Sequence, residues 1–194
     1  KGYQFFSHTL AINDFLIASE LLTRLDSGVR VEELLHDLYL KHEPPFLKVA
    51  KSKTALVPDG WVDFRVKREG KDTESRFCIW LELDQGTVSV KPLKKKIRDL
   101  VTLYEQGGYK ARFGTNNVLF AFASTQGDRR VEFLRKWIRD ELQGMEGVKN
   151  RAWWFQMFCV CALPSEIDPK NLFFEKVWYL VRENTPQVNI LKLD

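Results

Sequence analysis

Three carboxylates and one lysine are the residues of this chain best placed to do chemistry. The stretch LVPDGWVDF, residues 56–64, sets Asp59 between a proline and a glycine. The stretch FCIWLELDQGT, residues 77–87, sets Glu82 and Asp84 inside an otherwise apolar run. An unpaired carboxylate inside a protein costs several kcal/mol, so buried acids need partners, and a divalent cation is one such partner. Strand alternation puts Phe77, Ile79, Leu81 and Leu83 on one face and Cys78, Trp80, Glu82 and Asp84 on the other. Asp59 opens the neighbouring antiparallel strand, where the start of one hairpin arm lies beside the end of the other. It can therefore approach Glu82 across the ladder, at a spacing suited to bridging one Mg²⁺ or Mn²⁺ through oxygen ligands.

The following helix adds a cation. At about 100° per residue, Lys96 falls beside Leu100 and Leu103, at the inward margin of the apolar face. Lys95 points to solvent and Lys94 lies at the other edge. A lysine at such a margin snorkels, here toward the carboxylate end of the strand. There it can stabilise developing negative charge or orient a water.

These residues need a scaffold, and its elements are readable. Residues 5–25 repeat apolar side chains at helical spacing and stop at Asp26-Ser27-Gly28. Val31 to Tyr39 reads as a second short helix, and Phe46 to Ala55 as an edge strand. Trp61–Lys67 and Arg76–Asp84 form a hairpin about a turn at Glu69-Gly70-Lys71-Asp72. Thr87 to Tyr104 is helical, with Leu93, Ile97, Leu100, Val101 and Tyr104 along one face. NVLFAFAS, from Asn117 to Ser124, is a strand buried on both faces. Asp128 to Leu142 is a helix, Ala152 to Leu163 a strand, and Phe173 to Arg182 is open between strand and helix, with VWYLV favouring strand. A hairpin followed by a helix and a buried strand implies an α/β sandwich around a central mixed sheet.

The 194 residues suit one domain. Hydrophobic residues make up 44% and charged residues 29%, which allows a sizeable core under a well-solvated surface. No apolar run approaches the ~18 residues of a membrane span, so no membrane partner is expected. Net charge is only +4, but it is unevenly spread. Lys91, Lys94, Lys95, Lys96, Arg98, Lys110 and Arg112 form one basic stretch, and Arg129, Arg130, Arg135, Lys136 and Arg139 another. Such clusters either follow phosphates or solvate helix faces. Cys78, Cys159 and Cys161 lack the companion Cys or His pair of a zinc site and read as buried, reduced thiols, in keeping with a cytoplasmic protein. His8, Asp14 and Glu20 on the first helix read better as capping or surface groups than as site residues. Asp63, four residues beyond Asp59, shares its side of the strand and reads equally as a solvent-facing acid. His36 and His42 have no partner evident in sequence. Trp153-Trp154-Phe155 reads better as packing than as a base-stacking platform.

The segments LVPDG and LELD resemble motifs two and three of the PD-(D/E)xK nuclease superfamily. Within it, the run HTLAINDF, VPDGWVDF, IWLELDQGT, LKKKIRDLVTLY, NVLFAFAS and RRVEFL resembles the replication-relaxation family of plasmids and mobile elements, over roughly His8 to Leu163. The resemblance implies a restriction-endonuclease-like sandwich, a central mixed sheet flanked by helices, over residues 1–194. In that family the core is often preceded by a winged-helix DNA-binding domain; none is evident in this sequence, and the resemblance leads us to expect a fragment of a longer protein. Carried over, the pattern makes Asp59 the first metal ligand and Glu82 the second, with Mg²⁺ or Mn²⁺ as the cofactor. The pattern has lysine two residues beyond Glu82, where this chain has Asp84. Some members place that lysine on the next helix, which points to Lys96 and leaves Asp84 as an extra ligand. Lys91, Lys94 and Arg98 would then hold DNA backbone phosphates. The expected function is DNA processing in a plasmid or mobile element by metal-dependent phosphodiester hydrolysis, with replication or mobilisation proteins as further partners. The alternative is a non-catalytic DNA-binding or replication-assembly module that keeps the nuclease fold.

Overall fold

Alternating apolar residues pair into a central sheet in the computed structural model of the chain, which describes residues 2–49, 52–67 and 73–191. In chain order, helix α1 (Gly2–Leu25) leads to strand β1 (Val29–His36) and the short α2 (Asp37–Leu40). A small hairpin follows, β2 (Phe46–Val49) and β3 (Ser52–Ala55), and then β4 (Gly60–Lys67) and β5 (Glu74–Asp84). Helices α3 (Val90–Glu105) and α4 (Gly108–Phe113) lead to β6 (Leu119–Ser124). Helices α5 (Asp128–Gly144) and α6 (Arg151–Met157) lead to β7 (Phe158–Ala162), and α7 (Pro169–Phe174), β8 (Trp178–Leu180) and β9 (Gln187–Val188) complete the described chain.

Seven strands form one sheet in the order β1-β4-β5-β6-β7-β8-β9. The sheet is mixed: β4 and β5 pair antiparallel, whereas β5, β6 and β7 run parallel through the helical crossovers that contain α3 and α5. Both faces are covered. Trp61, Trp80, Phe120, Phe122 and Phe158 pack against Ile97 and Leu100 of α3 and Leu134 and Ile138 of α5. The opposite face carries Val62, Ile79, Leu81 and the small Ala121, Ala123, Cys159 and Cys161, which receive Phe15 and Leu22 of α1 and Phe173 of α7. The alternation assigned to 77–84 therefore holds, with Cys78 and Trp80 in one core and Ile79, Leu81 and Leu83 in the other.

Four elements differ from the sequence expectation. Val31–Tyr39 is mostly strand, not helix. The ladder between β1 and β4 shifts register between Val31 and Glu33, so Val31 pairs with Phe64 and Leu34 with Val62. Those partners lie on one sheet face, so the bulge puts two apolar residues three apart on the same side and imitates a helical repeat. The edge strand at Phe46–Ala55 is a separate hairpin, β2 against β3, with β2 lying against α3 and α4. Ala152–Leu163 divides into α6 and β7. Trp154 caps the core from the helix and Phe158 continues it from the strand, an apolar continuity whose periodicity does not tell helix from strand. The stretch from Phe173 holds the end of α7, with the strand confined to Trp178–Leu180. The turn at Glu69-Gly70-Lys71-Asp72 lies outside the described residues.

Candidate functional site

Asp59 stands one residue before β4, and the ladder register pairs Gly60 with Leu81, so Asp59 comes level with Glu82. Its backbone N–H donates to the Leu81 carbonyl at 3.0 Å, extending the ladder by one step. Its Oδ2 accepts from the Leu83 N–H at 2.7 Å, so the carboxylate caps a strand position that β4 does not reach. The Pro-Asp-Gly turn is thus more than punctuation: it fixes an acid against the end of the central strand.

Glu82 is 4% exposed. The Trp80 indole N–H donates to its Oε1 at 2.8 Å, and the Lys96 ammonium donates to its Oε2. Burial pushes the Glu82 carboxyl up to about 6; Lys96 opposes that shift and the nearby Asp59 charge adds to it. Lys96 is desolvated too, yet the Glu82 and Asp59 carboxylates hold its ammonium above the ordinary lysine range. Three groups from three places in the chain are therefore electrically coupled: the turn before β4, the end of β5, and α3. Lys96 thus lies on the inward margin of α3, as the helix wheel predicts. Lys95, one residue away, faces solvent and pairs with Asp99 along its own helix.

Asp84 belongs to a different network. Arg130 of α5 holds it bidentately, at 2.8 Å from Nε and 2.9 Å from Nη2. Ser124 Oγ donates to Asp84 Oδ2 at 3.1 Å. The Gly86 N–H reaches the same oxygen at 3.1 Å from a turn whose φ of +80° suits glycine. Asp84 thus joins the ends of β5 and β6 to α5.

The other candidates divide similarly. Lys94 and Arg98 both pair with Glu141 of α5, a buried acid, and Lys91 is exposed in the first turn of α3. Asp63 is 1% exposed, not solvent-facing, and Arg76 Nη2 lies 2.7 Å from its Oδ2. Cys78, Cys159 and Cys161 are free and buried. Trp154 is a core residue, and Trp153 packs on Tyr104 at 5.3 Å. Asp14 and Glu20 are exposed.

His8 is closer to the acidic pair than its reading as a capping or surface group implies. His8 of α1 places Nε2 3.7 Å from Asp59 Oδ2. Beside it, the Gln85 amide donates to Ser7 Oγ at 3.0 Å, tying α1 to the end of β5. Nothing in the local pattern of α1 signals this contact, because it depends on how the helix lies across the sheet.

The fold and this site describe an α/β protein with an acidic pair and a lysine at one end of a mixed sheet. The chain belongs to the replication-relaxation family, whose model matches residues 1–119. The match includes Asp59, Glu82, Asp84 and Lys96 and ends as β6 begins. Membership suggests a role in replication or processing of plasmids or mobile elements, with DNA and replication-related partners. No curated protein and no solved structure matches the chain. Among the described residues, no helix is long and apolar enough to cross a membrane.

Proposed function

We propose that the chain is a metal-dependent deoxyribonuclease of the PD-(D/E)xK type, with a restriction-endonuclease-like core and its lysine supplied from α3. The observation that carries this reading is the Lys96–Glu82 pair beside Asp59. It assembles two acids and a lysine although the position two beyond Glu82 is Asp84.

The donor set fits a hard divalent cation. Two carboxylates face one ammonium, leaving excess negative charge, and both offer oxygen. No group of three or more His, Cys, Asp or Glu suited to a metal occurs among the described residues. Asp59 and Glu82 would hold Mg²⁺ or Mn²⁺ with water and substrate completing the shell, as Mg²⁺ favours. Bound there, the ion would polarise the scissile phosphate and acidify a water. Lys96 would keep Glu82 ionised and present an ammonium to the negative charge that develops on the phosphate. Trp80 fixes the other Glu82 oxygen, so the carboxylate is oriented before substrate arrives. Asp84, held by Arg130, anchors β5 and serves the site through position. Lys91, exposed in the first turn of α3, is open to a DNA phosphate. The test is cleavage of single- and double-stranded DNA with Mn²⁺ by the wild type and by Asp59→Asn. Cutting by the wild type alone supports the reading, and no cutting by either contradicts it.

One observation favours the non-catalytic alternative. Both Glu82 oxygens already have protein donors, Trp80 and Lys96, so the network is satisfied internally. DNA binding without Mn²⁺-supported cutting is the result that selects it.

A further inference from the structure

A cleft lies far from Glu82. Arg139 and Gln143 of α5, Arg151, Phe155 and Gln156 of α6, and Arg182 just after β8 line a space of ≈ 380 Å³. Glu82 stands near the C-terminal end of β5. The cleft gathers where α6 enters β7, a strand parallel to β5 through β6, so it opens at the opposite end of the sheet. Arg182 arrives there because β8 runs antiparallel to β7, pairing Leu180 with Cys159. All six residues lie outside the stretch, 1–119, matched by the family model.

The cleft is cationic. Three guanidiniums meet one carboxylate, Glu183, whose side chain is 65% exposed and sits 3.6 Å from Arg139 Nε. Arg151 spends one N–H on the Met145 carbonyl at 2.7 Å and retains further donors. Arg135 holds the Arg182 carbonyl at 2.6 Å, fixing the backbone that presents that side chain. Phe155 packs its inner side on the core and lines the cleft with the rest. A neighbouring apolar cleft of ≈ 240 Å³, lined by Leu180, Val188 and Ile190, shares Gln156 and Arg182 with it. Guanidinium forks match phosphate oxygens, and an aromatic face accepts a nucleobase.

We propose that this cleft binds one nucleotide unit, with its phosphate on Arg139, Arg151 and Arg182 and its base against Phe155. The amides of Gln143 and Gln156 supply donors and acceptors for the base edge. The unit is either a free nucleotide or one position of a single strand. The site stands independently of the nuclease reading.

Calorimetric titration of the chain with inorganic phosphate, thymidine 5′-monophosphate and a thymidine octanucleotide tests it. The monophosphate binds more tightly than phosphate. Arg139→Gln combined with Arg182→Gln weakens it about tenfold or more. Phe155→Leu reduces its affinity to that of phosphate. An octanucleotide tighter than the monophosphate identifies a strand as the source, and equal affinities identify a free nucleotide. Lys170→Gln on α7, across the sheet, controls for net charge. Asp59→Asn retains monophosphate binding, which separates this cleft from the Glu82 centre. Thermal melting checks that each variant is folded. The proposal is overturned if the wild type does not bind the monophosphate, if the double variant binds it unchanged, or if Phe155→Leu keeps the preference over phosphate.

Discussion

Lys96 of α3 and Glu82 of β5 form an ion pair in which the acid is almost fully buried and the lysine is reached from the surface. A buried carboxylate is stable only with such a partner. The pair also ties the helix after β5 back to the strand that precedes it. Asp59 joins them electrostatically from across the ladder, and its charge acts on both Glu82 and Lys96.

The first prediction concerns metal. Mg²⁺ or Mn²⁺ raises the melting temperature of the wild type, because a ligand bound only by the folded state stabilises it. EDTA reverses the shift, and Asp59→Asn abolishes it. Differential scanning calorimetry with and without Mn²⁺ reads both. A full shift in the variant would move the metal elsewhere.

The second concerns Asp84 and Arg130. Arg130→Met leaves a buried carboxylate without its bidentate partner and destabilises the protein by about 3–5 kcal/mol. Adding Asp84→Asn recovers part of that loss. Urea unfolding of the single and double variants measures it. The Mn²⁺ melting shift survives in Asp84→Asn if the residue anchors β5 and does not ligate.

The third concerns pH. Glu82 titrates at about 6 in the folded chain against an ordinary 4.5, so the native state holds this proton more tightly than the unfolded state. The stabilisation this proton gives is complete below the ordinary value and is lost as pH rises through about 6. The stability difference between wild type and Glu82→Gln therefore moves toward the wild type on acidification. Urea unfolding of both in EDTA, on either side of that window, reads the sign. The Mn²⁺ melting shift shrinks over the same window, since proton and cation compete for one carboxylate.

Much of the centre was legible because the hairpin obeys a period of two. Alternation fixed the faces of 77–84, and the wheel put Lys96 inward and Lys95 outward. What was lost depended on tertiary geometry. The bulge at Val31/Glu33 shifted the period of β1 into a helix-like spacing. The start of α7 is an exception, because it carries a local signal in Asp168-Pro169, where the Asp168 carboxylate accepts from the Asn171 N–H at 3.0 Å. Arg130 belongs to a basic cluster whose sequence leaves phosphate binding and helix solvation both open, and it does neither: it faces Asp84. A cluster of basic residues reports its charge and not its partners. His8 beside Asp59 is a contact between distant segments, invisible to any local pattern.

Mn²⁺-supported cleavage of single- and double-stranded DNA by wild type, Lys96→Ala and Lys95→Ala tests the central claim most directly. Removing a preorganised electrostatic stabiliser lowers a rate by about 100-fold or more. That loss is predicted for Lys96→Ala. Lys95→Ala, whose ammonium faces Asp99 at the surface, leaves the rate near wild type with at most a mild, salt-dependent loss of DNA affinity. Equal losses from the two lysines would contradict the account, because they would mean a diffuse phosphate patch with no special position at Lys96.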